Sequence, residues 1–417
     1  MIQMNADIVV VGGGPAGLAA ALKAKQLGAE KVIVLERDTE LGGILQQCIH
    51  DGFGIHRFGK RMSGNQYAQA FIDEVEKTDI EIKLDTMVLE VTPEKKIYAC
   101  NRQDGMFEIQ AGAIILAMGC RERTASQVLI YGDRPTGVLT AGAVQRYINM
   151  EGYLPGSRAV ILGSGDIGLI MARRMTLEGM SVQGVYEVME SPGGLTRNIV
   201  QCLDDFDIPL HLATTVTQVH GRKRVEAVTV AKLDSERKPI PETEQRIECD
   251  LLVLAVGLIP ENELSRNAGI EIDPRTKGPM LDNSFMTSVP GIFAAGNVAV
   301  VFDLVDYVSL SGEIAAQGAV DFLNGKLKYN QQCQTVTSGE NVNFIVPQRI
   351  HPSNNKTTFF MRVKTPEKVA KLKCTAGDET LLQKTCRYIA PPEMLTFDLD
   401  SCGSKPLTVS MDKEEKL

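Results

Sequence analysis

The stretch from Asp7 to Glu36, DIVVVGGGPAGLAAALKAKQLGAEKVIVLE, decides the fold. Ile8 to Val11 is an apolar run of strand length, and Leu18 to Leu27 carries helical spacing. Between them Gly12, Gly14 and Gly17 form G-x-G-x-x-G, and Lys31 to Leu35 is a second strand that delivers Glu36. In such a unit the first glycine permits a tight turn, the second lets a pyrophosphate approach the backbone, and the third lets helix and strand pack closely. The helix start offers free N–H groups to phosphate, and Glu36 suits a ribose hydroxyl pair. A glycine triplet alone is a weak signal. Strand, helix, second strand and acid together predict a dinucleotide site.

The motif recurs. Arg158 to Leu162 is a strand, Gly163, Gly165 and Gly168 repeat the glycine pattern, Leu169 to Leu177 is helical, and Ser181 to Tyr186 leads to Glu187. The acids lie at equal distances from their first glycines, since 36 minus 12 and 187 minus 163 both give 24. Two dinucleotide sites in one chain are therefore expected. An acid at 187 pairs with the free 2′-hydroxyl of NAD and repels the 2′-phosphate of NADP, for which an arginine is usual. Val188, Met189 and Glu190 follow it, and the next base is Arg197. NAD is the expected second nucleotide.

Composition bounds the rest. With 417 residues, 44% hydrophobic and 23% charged, the chain is long enough for two or three globular domains. A net charge of -8 and a pI near 5.4 argue against a nucleic-acid footprint. No segment has the uncharged length of a membrane helix. The nine cysteines are scattered, odd in number and without a C-x-x-C pair, which suits a reducing cytoplasm.

Other segments frame these motifs. After Glu36 and Arg37, the pair Gly42 and Gly43 lets the chain pass near the first pyrophosphate. The loop Gln46 to His56 then gathers polar, aromatic and thiol groups around Cys48. Tyr67 to Val75 reads as a helix, Glu81 to Val91 and Lys96 to Cys100 as strands, and Ala113 to Leu116 as a strand entering Ala117-Met118-Gly119. Leu251 to Val256 is a buried strand closing on Gly257, and the stretch Val289 to Asn297 reads as a short apolar strand ending in Gly296-Asn297. A helix over Leu310 to Leu323 follows, and from Tyr329 the pattern becomes strand-like.

With both glycine motifs, Ala117-Met118-Gly119 and Gly296-Asn297 in view, the chain resembles the flavoproteins of the pyridine nucleotide–disulfide oxidoreductase superfamily over about residues 5 to 325. The resemblance implies an α/β fold of two Rossmann-like domains, the second inserted in the first, plus a small mostly β C-terminal domain. It implies FAD on the first motif and NAD on the second. Expected boundaries are 1–120 and 250–328 for the FAD domain, 121–249 for the NAD domain and 329–417 for the C-terminal one. Carried over by position, the FAD contacts are Gly12, Gly14, Pro15, Ala16, Gly17, Glu36, Arg37, Gly42, Gly43, Val88, Ala117, Gly119, Gly296 and Asn297. Those for NAD are Gly163, Gly165, Asp166, Ile167, Gly168 and Glu187, and Gly257 is a further expected cofactor contact. Asn297 stands where the family usually has an acid, and an amide still hydrogen-bonds a hydroxyl.

The dithiol of disulfide reductases has no counterpart here. Cys48 stands alone, and His351-Pro352, similar to the pair that carries a base in glutathione reductase-like enzymes, lacks a dithiol to serve. The stretches Arg134 to Gly142 and Tyr153 to Gly168 look most like the FAD/NAD subunits of sarcosine oxidase, opine oxidase and hydrogen cyanide synthase. They are also similar to stand-alone flavoproteins associated with bacterial glycerol-3-phosphate dehydrogenases. The expected activity is hydride exchange between NAD(H) and bound flavin, with a small-molecule substrate that stays open. One alternative is a flavin-holding electron-relay subunit of a multisubunit amine, amino-acid or glycerol-3-phosphate dehydrogenase, and an oligomer is compatible with either reading. The other is a peroxide or disulfide reductase using Cys48 as a lone thiol.

Overall fold

A computed structural model describes residues 2–327, 333–352 and 356–413. These group into two compact units, Met1–Cys120 with Pro260–Leu417, and Arg121–Ile259.

The first unit is built on a seven-stranded sheet. Strand Ile2–Val11 lies between Val32–Leu35 and Gly105–Leu116, parallel to both. Glu81–Lys83 extends one side in parallel. On the other side, the first half of Gly105–Leu116 pairs antiparallel with Lys96–Asn101. Its second half pairs in parallel with Ile292–Ala294, so a strand nearly two hundred residues downstream joins the same sheet edge. Val9, Val10, Ile33, Val34, Ile114 and Ile115 are fully buried, as strands covered on both faces require.

Helix Pro15–Gln26 is alanine-rich on its buried side, with Ala16, Ala19, Ala20, Ala21 and Ala24 inside. Small residues let helix Val305–Leu323 lie close against it. A Cβ added to Gly312 would come within 2.2 Å of the Ala16 carbonyl oxygen.

The expected continuous strand from Glu81 to Val91 is broken into Glu81–Lys83 and Met87–Val91. Asp85, at φ +53, turns the chain, and the Asp85 and Thr86 N–H groups donate to the carbonyls of Asp38 and Glu36. Tertiary hydrogen bonds thus override local strand propensity. The Gln46 to His56 stretch, expected to be irregular, contains a short strand, Asp51–Phe53, and the start of a one-turn helix, Ile55–Phe58. Left-handed glycines at 54 and 59 bound that helix.

The second unit holds an all-parallel five-stranded sheet in the order Val138–Thr140, Leu251–Leu254, Arg158–Leu162, Ser181–Tyr186, Leu210–His211. A second sheet contains the antiparallel strands Thr214–His220, Ala227–Lys232 and Gln245–Glu248. The expected boundary at 250 is therefore corrected. Leu251–Leu254 is hydrogen-bonded between two strands of the inserted unit, and the chain rejoins the first unit at Pro260.

The C-terminal residues also differ from expectation, because they group with the first unit despite having a core of their own. Their expected start at 329 lies outside the described residues. Strand Thr357–Val363 explains the grouping through its period of two. Phe359 points into the C-terminal core and stacks on Phe397 at 4.9 Å. Phe360 points the other way, joins the first core and meets Phe302 at 5.1 Å and Tyr307 at 5.8 Å. Nearby, buried Gln348 donates to Asp273 Oδ2 at 2.8 Å and accepts from the Leu281 N–H at 3.0 Å.

Among the described residues no helix is long and apolar enough to cross a membrane. Phe360→Ala is expected to cost about 3–5 kcal/mol, the usual range for emptying a buried phenylalanine site. A lowered urea midpoint, with faster proteolysis of the C-terminal strands, is the measurement.

Candidate functional site

In the first unit the carboxyl ends of three parallel strands, at Val11, Leu116 and Ala294, lie side by side. Ligands of open α/β sheets bind in the crevice beyond such ends. Gly12, at φ +108, turns the chain so close to the next strand that a Cβ would meet the Ala117 oxygen at 2.4 Å. A Cβ on Gly17 would meet the Gly12 oxygen at 1.8 Å, and one on Gly296 would meet Ala16 Cβ at 2.7 Å. Packing explains all three glycines.

Gly14 is different. It has φ -78 and ψ -173, open to any residue, and a Cβ built on it meets nothing within 4 Å. Neither strain nor packing demands glycine there. What Gly14 provides is bare backbone at the start of helix Pro15–Gln26, where the first N–H groups have no intrahelical acceptor. Gly43 closes over the same spot, its built Cβ 3.3 Å from Gly14 Cα.

Glu36 is buried, and its carboxylate is already in use. Oε2 accepts the Gly13 N–H at 2.7 Å and Oε1 the Asp38 N–H at 2.8 Å. An ionised carboxylate offers about four lone-pair sites, so about two remain for a ribose. Arg37, next in the chain, is exposed. Val88 sits half-buried on the hairpin strand, two residues beyond the Thr86 N–H that binds the Glu36 carbonyl.

The second unit repeats this construction. A Cβ on Gly163 would meet the Ala255 oxygen at 2.2 Å, and one on Gly168 the Gly163 oxygen at 2.4 Å, while one on Gly165 meets nothing within 4 Å. Buried Glu187 Oε2 accepts from Ser164 N at 2.9 Å and from Ser164 Oγ at 2.6 Å, and Oε1 accepts from Met189 N at 2.9 Å. Asp166 begins helix Asp166–Leu177, and its Oδ1 accepts from Leu195 N at 2.9 Å and Asn198 Nδ2 at 2.7 Å. Ile167, beside it, packs on the unit's core. Gly257, at φ +102, accepts the Arg123 N–H.

Two features of this duplication escaped the sequence reading. Gly193 and Gly194 follow Glu187 at the same offsets, 6 and 7, as Gly42 and Gly43 follow Glu36, and a Cβ on Gly193 would lie 3.6 Å from Gly165 N. Ala255-Val256-Gly257 likewise matches Ala117-Met118-Gly119, with the alanine carbonyl backing the first glycine in each unit. Both signals were present in the sequence as a superposition of its two halves.

Asn297 is held on both sides, its Oδ1 accepting from Phe302 N at 3.1 Å and its Nδ2 facing Cys120 Sγ at 3.6 Å. Cys120 thus meets the late glycine turn, while the Gly119 carbonyl accepts the Glu261 N–H. His351 is committed elsewhere, to Asp282 Oδ2 at 3.3 Å and, through its N–H, to Asn283 Oδ1.

Cys48 is a buried, packed thiol. It bonds the Ile44 carbonyl at 3.3 Å, and packs so tightly that a Cβ on Gly64 would approach its own Cβ to 2.5 Å. Burial pushes the thiol up to about 12, and only the thiolate is a nucleophile. The thiolate fraction therefore grows only as pH climbs toward that value. At pH 8 iodoacetamide is expected to leave Cys48 unlabelled in the folded protein and to label it fully in urea, read by peptide mass spectrometry.

A family model described as "Pyridine nucleotide-disulphide oxidoreductase" matches residues 6–318. The chain is 26% identical to the HcnB subunit of hydrogen cyanide synthase from Pseudomonas protegens, over 75% of this chain and 70% of that protein. It is 25% identical to one of the subunits of opine oxidase from Agrobacterium tumefaciens, over 75% of this chain and 65% of that one, so it spans just under two thirds of that relative. The crystal structure of T. acidophilum thioredoxin reductase superposes with a TM-score of 0.62 at 23% identity, over 76% of this chain and 98% of that one. The two-domain α/β architecture is shared with that structure. The chain belongs to the pyridine nucleotide-disulphide oxidoreductase family, whose cofactors are FAD and NAD(P)H.

Proposed function

We propose that the protein binds FAD at the first glycine turn and NAD(H) at the second, and exchanges a hydride between them. The observation that carries this reading is the pair Gly14 and Gly165, the two motif glycines that neither packing nor φ requires. Each leaves bare backbone at a helix start, with a glycine of the loop after the acid closing over it. A pyrophosphate fills such a place. Glu36 would then hold the adenosine ribose of FAD, with Gly43 beside the phosphates and the 296–297 turn at the neighbouring strand end.

Bound FAD supplies an isoalloxazine able to accept or return a hydride; the chain supplies binding, alignment and exclusion of water. Hydride transfer between nicotinamide and flavin requires no protein acid or base. NAD is favoured over NADP because Glu187 and Glu190 place negative charge where a 2′-phosphate would sit.

A second reading has its own support. Two of the relatives above are named as subunits, of hydrogen cyanide synthase and of opine oxidase. On that reading the chain passes electrons between its flavin and a partner dehydrogenase subunit. The lone-thiol reading is the least favoured by geometry, because Cys48 is buried and burial raises its thiol pKa.

Anaerobic NADH is expected to bleach the flavin absorbance of the purified protein, and NADPH to do so far more slowly. Equal rates would remove the NAD preference, and absence of bleaching with both would leave only the relay reading. Gly14→Ala is expected to lose FAD, measured as flavin absorbance per mole of protein, while its apoprotein keeps the melting temperature of the wild-type apoprotein. Gly17→Ala, which drives a Cβ into the Gly12 carbonyl, should instead destabilise the fold itself by about 3 kcal/mol or more.

A further inference from the structure

The two glycine turns are near-copies, yet their closing loops are fastened differently. In the first unit, Gly42 N–H donates to the Gly13 carbonyl at 2.9 Å, so main chain holds main chain. In the second, Gly193 N–H donates to the side chain of Ser164, to Oγ at 2.8 Å. The residue at that position in the first motif is Gly13, which has no hydroxyl to offer.

The Ser164 hydroxyl has one proton and two lone pairs. At 2.6 Å its proton is committed to Glu187 Oε2, which turns a lone pair toward Gly193. Ser164 is fully buried, so water does not compete for either bond. One hydroxyl thus ties the acid that would read the ribose to the loop that closes over Gly165. The acid is more heavily used than its twin, accepting three donors where Glu36 accepts two. About one lone-pair site is left on Glu187, enough for a single ribose hydroxyl.

We infer that Ser164 is a positioning residue for the exchangeable nucleotide, coupling ribose binding at Glu187 to closure of the Gly193–Gly194 loop over the pyrophosphate. This rests on the proposed binding of NAD(H) at the second turn. The contrast has a functional sense. A resident cofactor is compatible with a main-chain lock, whereas a nucleotide that must enter and leave at every turnover needs a loop that can be released. Turning the Ser164 side chain about its Cα–Cβ bond would release its bonds to Gly193 and Glu187 together without moving the backbone of the turn. Asp166, through Leu195 and Asn198, keeps the far end of the loop anchored meanwhile.

The test uses oxidised holoprotein with NAD+, a pair that binds without hydride transfer. Amide hydrogen exchange is followed over residues 189–198, and NAD+ affinity is measured by calorimetry. In the wild type NAD+ is expected to slow exchange at Gly193 and Gly194. In Ser164→Ala and Ser164→Gly those amides should exchange fast without nucleotide and NAD+ should bind about 3–10-fold more weakly, the effect of one net hydrogen bond. Flavin content should stay at the wild-type value and the melting temperature should fall by only a few degrees, the cost of one buried hydrogen bond, and Ser164→Gly reproduces a residue the first turn already accommodates. In turnover the loss should fall on KM for NADH, with kcat little changed. Variants with wild-type exchange and wild-type affinity overturn the coupling while leaving the nucleotide site intact. A wild type that binds no NAD+ overturns both.

Discussion

A buried carboxylate that accepts the N–H of the residue after the first glycine is the interaction on which each nucleotide-binding unit depends. A charge out of water must be met by donors or neutralised, and Glu36 and Glu187 are met by backbone amides of the turn they serve. That bond joins the end of the second strand to the turn after the first. The crevice mouth is fixed before any ligand arrives. It also gives the acids a structural duty beside the expected ribose contact, so replacing Glu187 by a base to change nucleotide preference would dismantle the turn as well.

Around this bond the packing leaves room for glycine only. The Ala117 and Ala255 carbonyls back Gly12 and Gly163, and the turn oxygen of each first glycine lies against the third. Close approach of this kind shortens the distance between strand and helix and aims the helix start at the crevice. It also separates structural glycines from the two with no packing role, Gly14 and Gly165.

The C-terminal strands add a second layer of constraint on the first unit. Phe360 fills the space between Phe302 and Tyr307, Arg362 Nη2 donates to the Val301 carbonyl, and Met394 N–H donates to Asp303. All of these act on residues 301 to 307, which run from just after the Gly296-Asn297 turn into the first turn of helix Val305–Leu323. A segment that the family resemblance does not cover thus supports one that it does. Cys48 shows the reverse case, a residue whose surroundings in sequence suggest chemistry and whose surroundings in space remove it.

The sequence by itself determined the two strand–turn–helix units and the acid that ends each, because these rest on local periodicity and on glycine steric demands confined to about thirty residues. Spacing alone revealed the duplication. The membership of Leu251–Leu254 in the inserted sheet, the break at Asp85 and the attachment of the C-terminal strands were decided by tertiary structure. Each depends on hydrogen bonds or side-chain contacts between residues far apart in the chain, to which a local pattern is blind. The same holds for the carboxylates. Sequence supplied an acid at the right offset, but only the folded turn decided how many of its lone pairs the protein keeps for itself.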